Sequence, residues 1–224
     1  MDVTHPWAGG PIGSTAQDLA RWASALQQGR LLSPSLLERT YTRVTLATGA
    51  TANYGCGWMI GEWAGRRVVY HPGHISGFRT AIYHLPDDRL TVILLSNFMY
   101  FDEEFPWRKI SRLVLGVPLP ERRSVTLNET AVARVAGTYT GRGITFDFVR
   151  SEQGLTGYWR TPLHKCWRRG RVFVSLDERS FFSEEDPESG IEFDDERGGK
   201  FTTFRFVNVL EPMEPYVATR VPEA

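Results

Sequence analysis

The sequence predicts an α+β fold: an antiparallel sheet with flanking helices, followed by a small all-β barrel. Three observations predict it. Between residues 14 and 41, apolar side chains recur at helical spacing. From residue 54 to residue 96, strand-length apolar runs alternate with turns. Beyond Val117-Pro118-Leu119-Pro120 the chain becomes a series of short strands with Gly-rich turns, the pattern of a sandwich or an up-and-down barrel. The reading divides the chain into a helix-and-sheet domain over 1–117, a linker over 118–130, a barrel over 131–210 and a loosely ordered tail over 211–224.

Each element has a local reason. Ser14 with Gln17, or Thr15 with Asp18, has capping-box spacing and opens a first helix. Leu19, Trp22, Ala23 and Leu26 form its apolar face, and Gly29 stops it. Ser33-Pro34 opens a second helix, with Leu36, Leu37 and Tyr41 facing inward. Strands are expected over residues 54–60, 67–71, 78–85 and 90–96. The last contains Thr91-Val92-Ile93-Leu94-Leu95, apolar enough to be central in its sheet. A helix over 103–115 is expected to turn Ile110, Leu113 and Val114 onto the sheet. Pro118 and Pro120 keep that helix from continuing. After one helical turn at 131–135, strands are expected near 137–139, 144–149, 155–159, 172–175, 180–183, 191–193 and 201–207.

Composition excludes several classes. Lys+Arg and Asp+Glu are both 26, so no net field draws the chain to nucleic acid or an anionic membrane. Arg168-Arg169-Gly170-Arg171 is too short a basic turn to change that. There is no apolar run of about 18 residues, so no membrane span is expected. Met1-Asp2-Val3-Thr4-His5-Pro6 has neither the basic region nor the apolar core of a signal peptide, and a chain that starts so abruptly reads as a fragment. Cys56 and Cys166 lack metal-type spacing and read as small apolar residues in strands; the sequence leaves a disulfide between them open.

The segment that carries chemistry is His71-Pro72-Gly73-His74-Ile75-Ser76-Gly77-Phe78. Two histidines, a proline and two glycines fall where one strand ends and the next begins. Pro72 removes a hydrogen-bond donor that a central strand position would need. Gly73 lets a ligand approach the backbone, and the N–H of His74 is then placed to meet a bound oxygen, as in an oxyanion hole.

Residues 71–97 resemble the third-motif region of the serine β-lactamase and penicillin-binding-protein superfamily, in its class C and esterase-like branch. His71-Pro72-Gly73 matches the His-x-Gly form of that motif, and Gly77-Phe78, Leu85-Pro86-Asp87-Asp88 and Leu94-Leu95-Ser96-Asn97 follow at the matching spacing. Upstream, Gly9-Gly10 with residues 14–22 is similar to the family's "GG…STAxDLARF" helix entry, and Tyr54-Gly55-Cys56-Gly57-Trp58 to its "YGLGW" segment. The likeness covers residues 8–116, and five pieces in order make it specific. It implies a partial β-lactamase-like fold. It also implies that His71 helps to bind substrate near the reacting carbonyl, that Gly73 admits the substrate, and that the His74 N–H is one oxyanion donor. Residues 131–207, opening at Val135-Ala136-Gly137-Thr138-Tyr139, resemble the lipocalin-like domain that often follows such catalytic domains.

The family's nucleophile is the serine of Ser-x-x-Lys, assisted by a Tyr-x-Asn motif. None of Lys109, Lys165 and Lys200 has a serine three residues before it, and no Asn has a tyrosine two residues before it. Two departures accompany this. Pro72 stands where the family has Thr or Ser, which removes a hydroxyl contact with a substrate carboxylate, and Arg79 follows Gly77-Phe78 where class C enzymes often have Gly. The function expected is therefore that of the C-terminal portion of a serine hydrolase acting on a β-lactam, D-amino-acid peptide or ester, inactive alone and without cofactor. Its partner is a small-molecule or peptide substrate once the missing part completes it. The alternative is a non-catalytic binding module derived from the same family. The resemblance implies a mostly periplasmic or extracellular setting. A sheet lacking its helical partner is expected to expose apolar surface, and so to be poorly soluble or to form a homodimer.

Blander readings stand beside these. His71 and His74 lack a zinc signature and otherwise satisfy a turn. Cys56 lacks a legible His–acid set that would make it a nucleophile. Asp102-Glu103-Glu104 and Glu184-Glu185-Asp186 read as solvated loop charges, and Trp159, Trp167 and Phe173 as core rather than the lining of a cavity.

Overall fold

The computed structural model describes residues 10, 12–75, 77–98, 101–152, 154–160, 170–207 and 217–222. They form two compact units that divide between Val117 and Pro118. The first contains helices α1 (Ala16–Gln27) and α2 (Pro34–Thr40), strands β1 (Met59–Trp63), β2 (Arg66–Ile75), β3 (Phe78–Leu85) and β4 (Leu90–Ser96), and helix α3 (Glu104–Leu115). The four strands lie in sequence order and every neighbouring pair is antiparallel, so β4, whose apolar run was expected to be central, lies at an edge among the described residues, where α1 and α3 approach it.

Of the two capping registers open at α1, the chain uses the second: Thr15 Oγ1 accepts the Asp18 N–H at 3.1 Å. Ser33 Oγ caps α2 by accepting the Leu36 N–H, with Pro34 at the first helical position. Successive strand residues face opposite sides of the sheet. Val69 joins Leu26, Tyr41, Trp58 and Ile60 in one cluster, on the side of α1 and α2. Val68, Tyr70, Tyr83, Leu85 and Val92 join Trp63 and Trp107 in another, on the side of α3. Tyr70, Tyr83 and Trp107 stack in series, with centroids 5.4 and 4.6 Å apart. Each large side chain so buried contributes roughly 1.5–3 kcal/mol.

Three expectations are corrected here. The strand expected from residue 54 begins at Met59; residues 54–58 form a tight turn, closed by bonds from the Gly55 N–H to the Trp58 carbonyl and from the Ile60 N–H to the Asn53 carbonyl. Gly55 fits there because a Cβ would lie 2.3 Å from the Thr40 carbonyl oxygen. Cys56 consequently sits exposed in a turn, and Cys166 lies outside the described residues. Helix α3 is rotated from its expected setting: Trp107, Arg108, Ser111 and Arg112 are buried, while Leu113 keeps 78% of its surface exposed and Ile110 and Val114 are exposed beside it. The aromatic cluster explains this, since one indole sealed against Tyr83 and Trp63 buries more apolar area than the aliphatic stripe offers. Finally, Glu103 is buried and Glu104 half-buried, so these are not solvated loop charges.

The second unit holds helix α4 (Glu129–Val135) and strands β5 (Gly137–Gly141), β6 (Ile144–Ser151), β7 (Gly154–Arg160), β8 (Arg171–Ser175), β9 (Ser180–Ser183), β10 (Gly190–Arg197), β11 (Lys200–Val207) and β12 (Val217–Arg220). They close into a barrel in the order β10-β11-β12-β5-β6-β7-β8-β9. Aromatic side chains fill its interior, with rings meeting edge to face, as Phe148 and Phe204 do at 5.0 Å and 89°. Phe173 belongs to this core and Trp159 packs against it; Trp167 lies outside the described residues. Asp186, expected in solvent, is buried and accepts the Ser189 hydroxyl at 2.6 Å, whereas Glu184 and Glu185 are exposed.

The expected loose tail is also corrected, because part of it is the strand that closes the barrel. Residues 217–220 form β12 between β11 and β5. A strand this short escapes a periodicity reading, but both neighbours need it to avoid a bare edge. Arg220 adds a polar lock. Its Nη1 donates to the carbonyls of Arg134 and Phe201, each at 3.0 Å, and its Nη2 to that of Ala136. The Tyr139 hydroxyl donates to the Val135 carbonyl at 2.9 Å. The carbonyls at the end of α4, which have no partner within the helix, are thus met by a cation and a phenol. Gly137 makes room, since a Cβ there would lie 2.4 Å from Arg220 Nη2. Replacing Arg220 with Met should lower the stability of the barrel by about 2–3 kcal/mol, because buried carbonyls lose a charged donor. Urea unfolding followed by barrel Trp fluorescence checks this; an unchanged midpoint would rule out the lock.

Candidate functional site

The site begins with a mismatch in strand length. β1 pairs with residues 66–70 of β2, from Trp63↔Arg66 to Met59↔Tyr70. β2 continues to Ile75, and residues 71–75 pair with β3 alone, from His71↔Ile82 to Ile75↔Phe78. Among the described residues, no strand occupies the other side of that segment. The strand was expected to end at residue 71, with Pro72 in the turn. It runs through Pro72 instead, which a strand tolerates at an edge that needs no N–H from that residue. In an antiparallel ladder, alternate residues direct their N–H and C=O to opposite neighbours. Pro72 has no N–H for β3, so the ladder to β3 runs through residues 71, 73 and 75. The backbone N–H of His74, in phase with Pro72, then points to the side away from β3.

Of the three residues singled out by sequence, His71 and Gly73 share the face of Val69, the side of α1 and α2, and His74 turns its side chain to the α3 face. Backbone, not a pair of imidazoles, therefore links His74 to the other two. His71 Nδ1 lies 2.8 Å from the Pro72 carbonyl oxygen, and Nε2 lies 3.0 Å from the Tyr54 hydroxyl. The His71 and Tyr54 rings meet edge to face at 6.1 Å. At Gly73 the space of the absent Cβ is taken by Thr80, whose Oγ1 lies 2.5 Å from where that carbon would be. This glycine thus lets β3 place a hydroxyl over the strand beside His71. Sequence reading missed Tyr54 and Thr80. A tyrosine locked into a turn by Gly55 is a recognisable signal, but its aim at His71 is not.

The far end of the hairpin is anchored through β3. Arg79, the register partner of His74, directs Nε to Glu103 Oε2 at 2.7 Å. Glu103 immediately precedes α3 and is almost fully buried. Burial alone would lower the Arg79 pKa; the hydrogen bond and charge of Glu103 outweigh it and hold the guanidinium above its ordinary value. One residue on, Glu104 accepts from the Tyr83 hydroxyl at 3.1 Å and from the Trp107 indole at 3.2 Å, with Arg108 at 3.4 Å. Removal from water raises the pKa of the Glu104 carboxyl and, strongly, that of the Tyr83 phenol. Arg79, for which the sequence offered no role, thus ties the β2–β3 hairpin to the start of α3.

At this end the helix-side face of the sheet carries apolar surface in the open, with Phe78 47% and Leu95 43% exposed. Among the described residues, no three His, Cys, Asp or Glu side chains are grouped to hold a metal ion. No helix among them is long and apolar enough to cross a membrane.

A family model described as Beta-lactamase matches residues 2–115, and the chain belongs to this serine β-lactamase and penicillin-binding-protein-like hydrolase family. The chain is 31% identical over 137 residues to a D-aminopeptidase of Gluconobacter oxydans, covering 61% of this chain and 25% of that protein. It is 29% identical over 140 residues to penicillin-binding protein 4* of Bacillus subtilis, covering 58% and 31%. The chain thus spans a third or less of these relatives. Among solved structures, the octameric penicillin-binding protein homologue from Pyrococcus abyssi aligns with 95% of this chain and 48% of its own, at 17% identity and a TM-score of 0.47.

The Arg79–Glu103 pair gives a direct test of the anchor. Replacing Glu103 alone with Leu strands a cation and should cost about 3 kcal/mol, whereas the double variant Arg79→Met with Glu103→Leu should recover most of it. Urea unfolding of the four proteins of this cycle measures the difference. Additive losses would show that the two side chains do not act as a pair.

Proposed function

We propose that this chain supplies the substrate-binding wall of a serine hydrolase that acts by acyl transfer on a peptide, β-lactam or ester carbonyl. The carrying observation is the edge of β2 over residues 71–75, paired on one side only among the described residues. An extended substrate lies along such an edge as an added strand, and the His74 N–H meets the oxygen of the reacting carbonyl. Gly73 lets Thr80 of β3 close over the strand, and His71 bounds the site on the face of α1 and α2. The D-aminopeptidase among the relatives favours a D-amino-acid substrate. Pro72, lacking the hydroxyl that the family places there, disfavours a substrate recognised by its carboxylate.

The chemistry also needs an activated hydroxyl. These 224 residues contain neither Ser-x-x-Lys nor Tyr-x-Asn, so the serine and its proton carriers come from outside them. The exposed apolar surface at Phe78 and Leu95 borders the segment where that part would pack. The chain by itself is then inactive toward a D-amino-acid p-nitroanilide or nitrocefin.

The experiment is complementation. The chain is assayed alone and together with a separately expressed segment of the Gluconobacter relative that carries Ser-x-x-Lys and Tyr-x-Asn. No turnover alone and turnover together is the expected outcome. His74→Pro removes the oxyanion N–H at a position in phase with a proline already tolerated, and should lower the restored kcat roughly 10²–10³-fold. Turnover by the chain alone, or an unaffected His74→Pro variant, would overturn the proposal. A chain that binds a D-peptide but restores no turnover would favour the binding-module alternative.

A further inference from the structure

We infer that Tyr54 is a positioning residue for His71, fixing the imidazole with its proton on Nδ1 and its Nε2 held by the Tyr54 hydroxyl. This deepens the reading of β2 as a substrate wall and rests on it for its relevance to catalysis.

Three observations combine. First, His71 Nδ1 lies 2.8 Å from the Pro72 carbonyl oxygen, and a carbonyl only accepts, so Nδ1 carries the proton. In the neutral ring Nε2 is then a bare acceptor. Second, the group 3.0 Å from Nε2 is the Tyr54 phenol, which can donate. Both ring nitrogens are therefore satisfied, and the second bond fixes a ring torsion that is otherwise broad. Third, Tyr54 is itself held. Its carbonyl accepts the Val44 N–H at 2.9 Å, it bridges to Met59, and Gly55 beside it is packed against the Thr40 and Thr42 carbonyls at the end of α2. The turn fixes the tyrosine, the tyrosine fixes one end of the imidazole, and the Pro72 carbonyl fixes the other.

The consequence is chemical. With Nδ1–H on the Pro72 carbonyl and Nε2 on the Tyr54 hydroxyl, the His71 ring has no N–H left for a substrate. The polar atom that the pair can present is the Tyr54 oxygen, as an acceptor. The pair acts as a shaped wall beside the edge of β2.

The test is 15N NMR of the full chain labelled at its histidine rings, at neutral pH, with His71 assigned through His71→Asn. The expected wild-type result is Nδ1 in the protonated range and Nε2 in the unprotonated, hydrogen-bonded range. Tyr54→Phe should shift the His71 Nε2 resonance and populate the Nε2–H tautomer, leaving the rings of His74 and His84 unmoved. A wild-type Nε2–H tautomer, or a Tyr54→Phe spectrum that superimposes on wild type, would overturn the inference. The wild-type spectrum decides the tautomer without any variant, so a misfolded Tyr54→Phe protein does not protect it. Turnover plays no part in this readout, so the dyad and the acyl-transfer reading fail separately.

Discussion

Between residues 71 and 75, β2 has a strand partner on one side only among the described residues, and the functional reading depends on that asymmetry. An extended backbone with one vacant side invites another strand, which is a hazard in solution and an asset in a peptide-binding enzyme. Pro72 moderates the hazard by removing one donor from the vacant side. Gly73 serves the opposite side, letting Thr80 from β3 close over the strand. Two adjacent residues without ordinary side-chain or N–H chemistry therefore shape the two flanks of a single strand.

The rest of the first unit keeps this edge in place. The stack of Tyr70, Tyr83 and Trp107 clamps the centre of the sheet to α3. The buried Arg79–Glu103 pair and the Glu104 hydrogen bonds fix the start of that helix relative to the hairpin. A buried ion pair adds little net stability, yet it penalises any arrangement that separates its members. That suits a hairpin whose backbone has to be held in one position. The barrel solves a different problem. Its aromatic interior is self-sufficient, and the polar demand at the end of α4 is met by Arg220 and Tyr139.

Much of this was legible in the sequence, wherever one physical signal dominates. The Thr15 and Ser33 caps and the break at Pro118 follow from local rules, and His71-Pro72-Gly73 marked the candidate site, but the apolar run of the fourth strand pointed to a central place and the strand lies at an edge. The misses share a different cause. Helix α3 carries an aliphatic stripe that predicts one rotation, and a single tryptophan packed on Tyr83 of β3 and Trp63 of β1 dictates another. Glu103 looks solvated until Arg79, 24 residues earlier, is brought beneath it. β12 was invisible because four residues carry no periodicity, and only closure of the barrel reveals the need for them. Tyr54 was in plain view within a recognised segment. Its bond to His71 depends on a turn that the sequence presented as a strand.

The central claim is that these residues form the wall of an acyl-transfer site whose serine lies elsewhere. Covalent labelling tests it most directly. The chain would be treated with a fluorophosphonate and with a fluorescent penicillin, alone and after assembly with a Ser-x-x-Lys segment of a relative, and the modified residues mapped by mass spectrometry. The expected result is no acylated serine within residues 1–224 in either sample, and one in the added segment. A serine of this chain labelled in the isolated protein would contradict it.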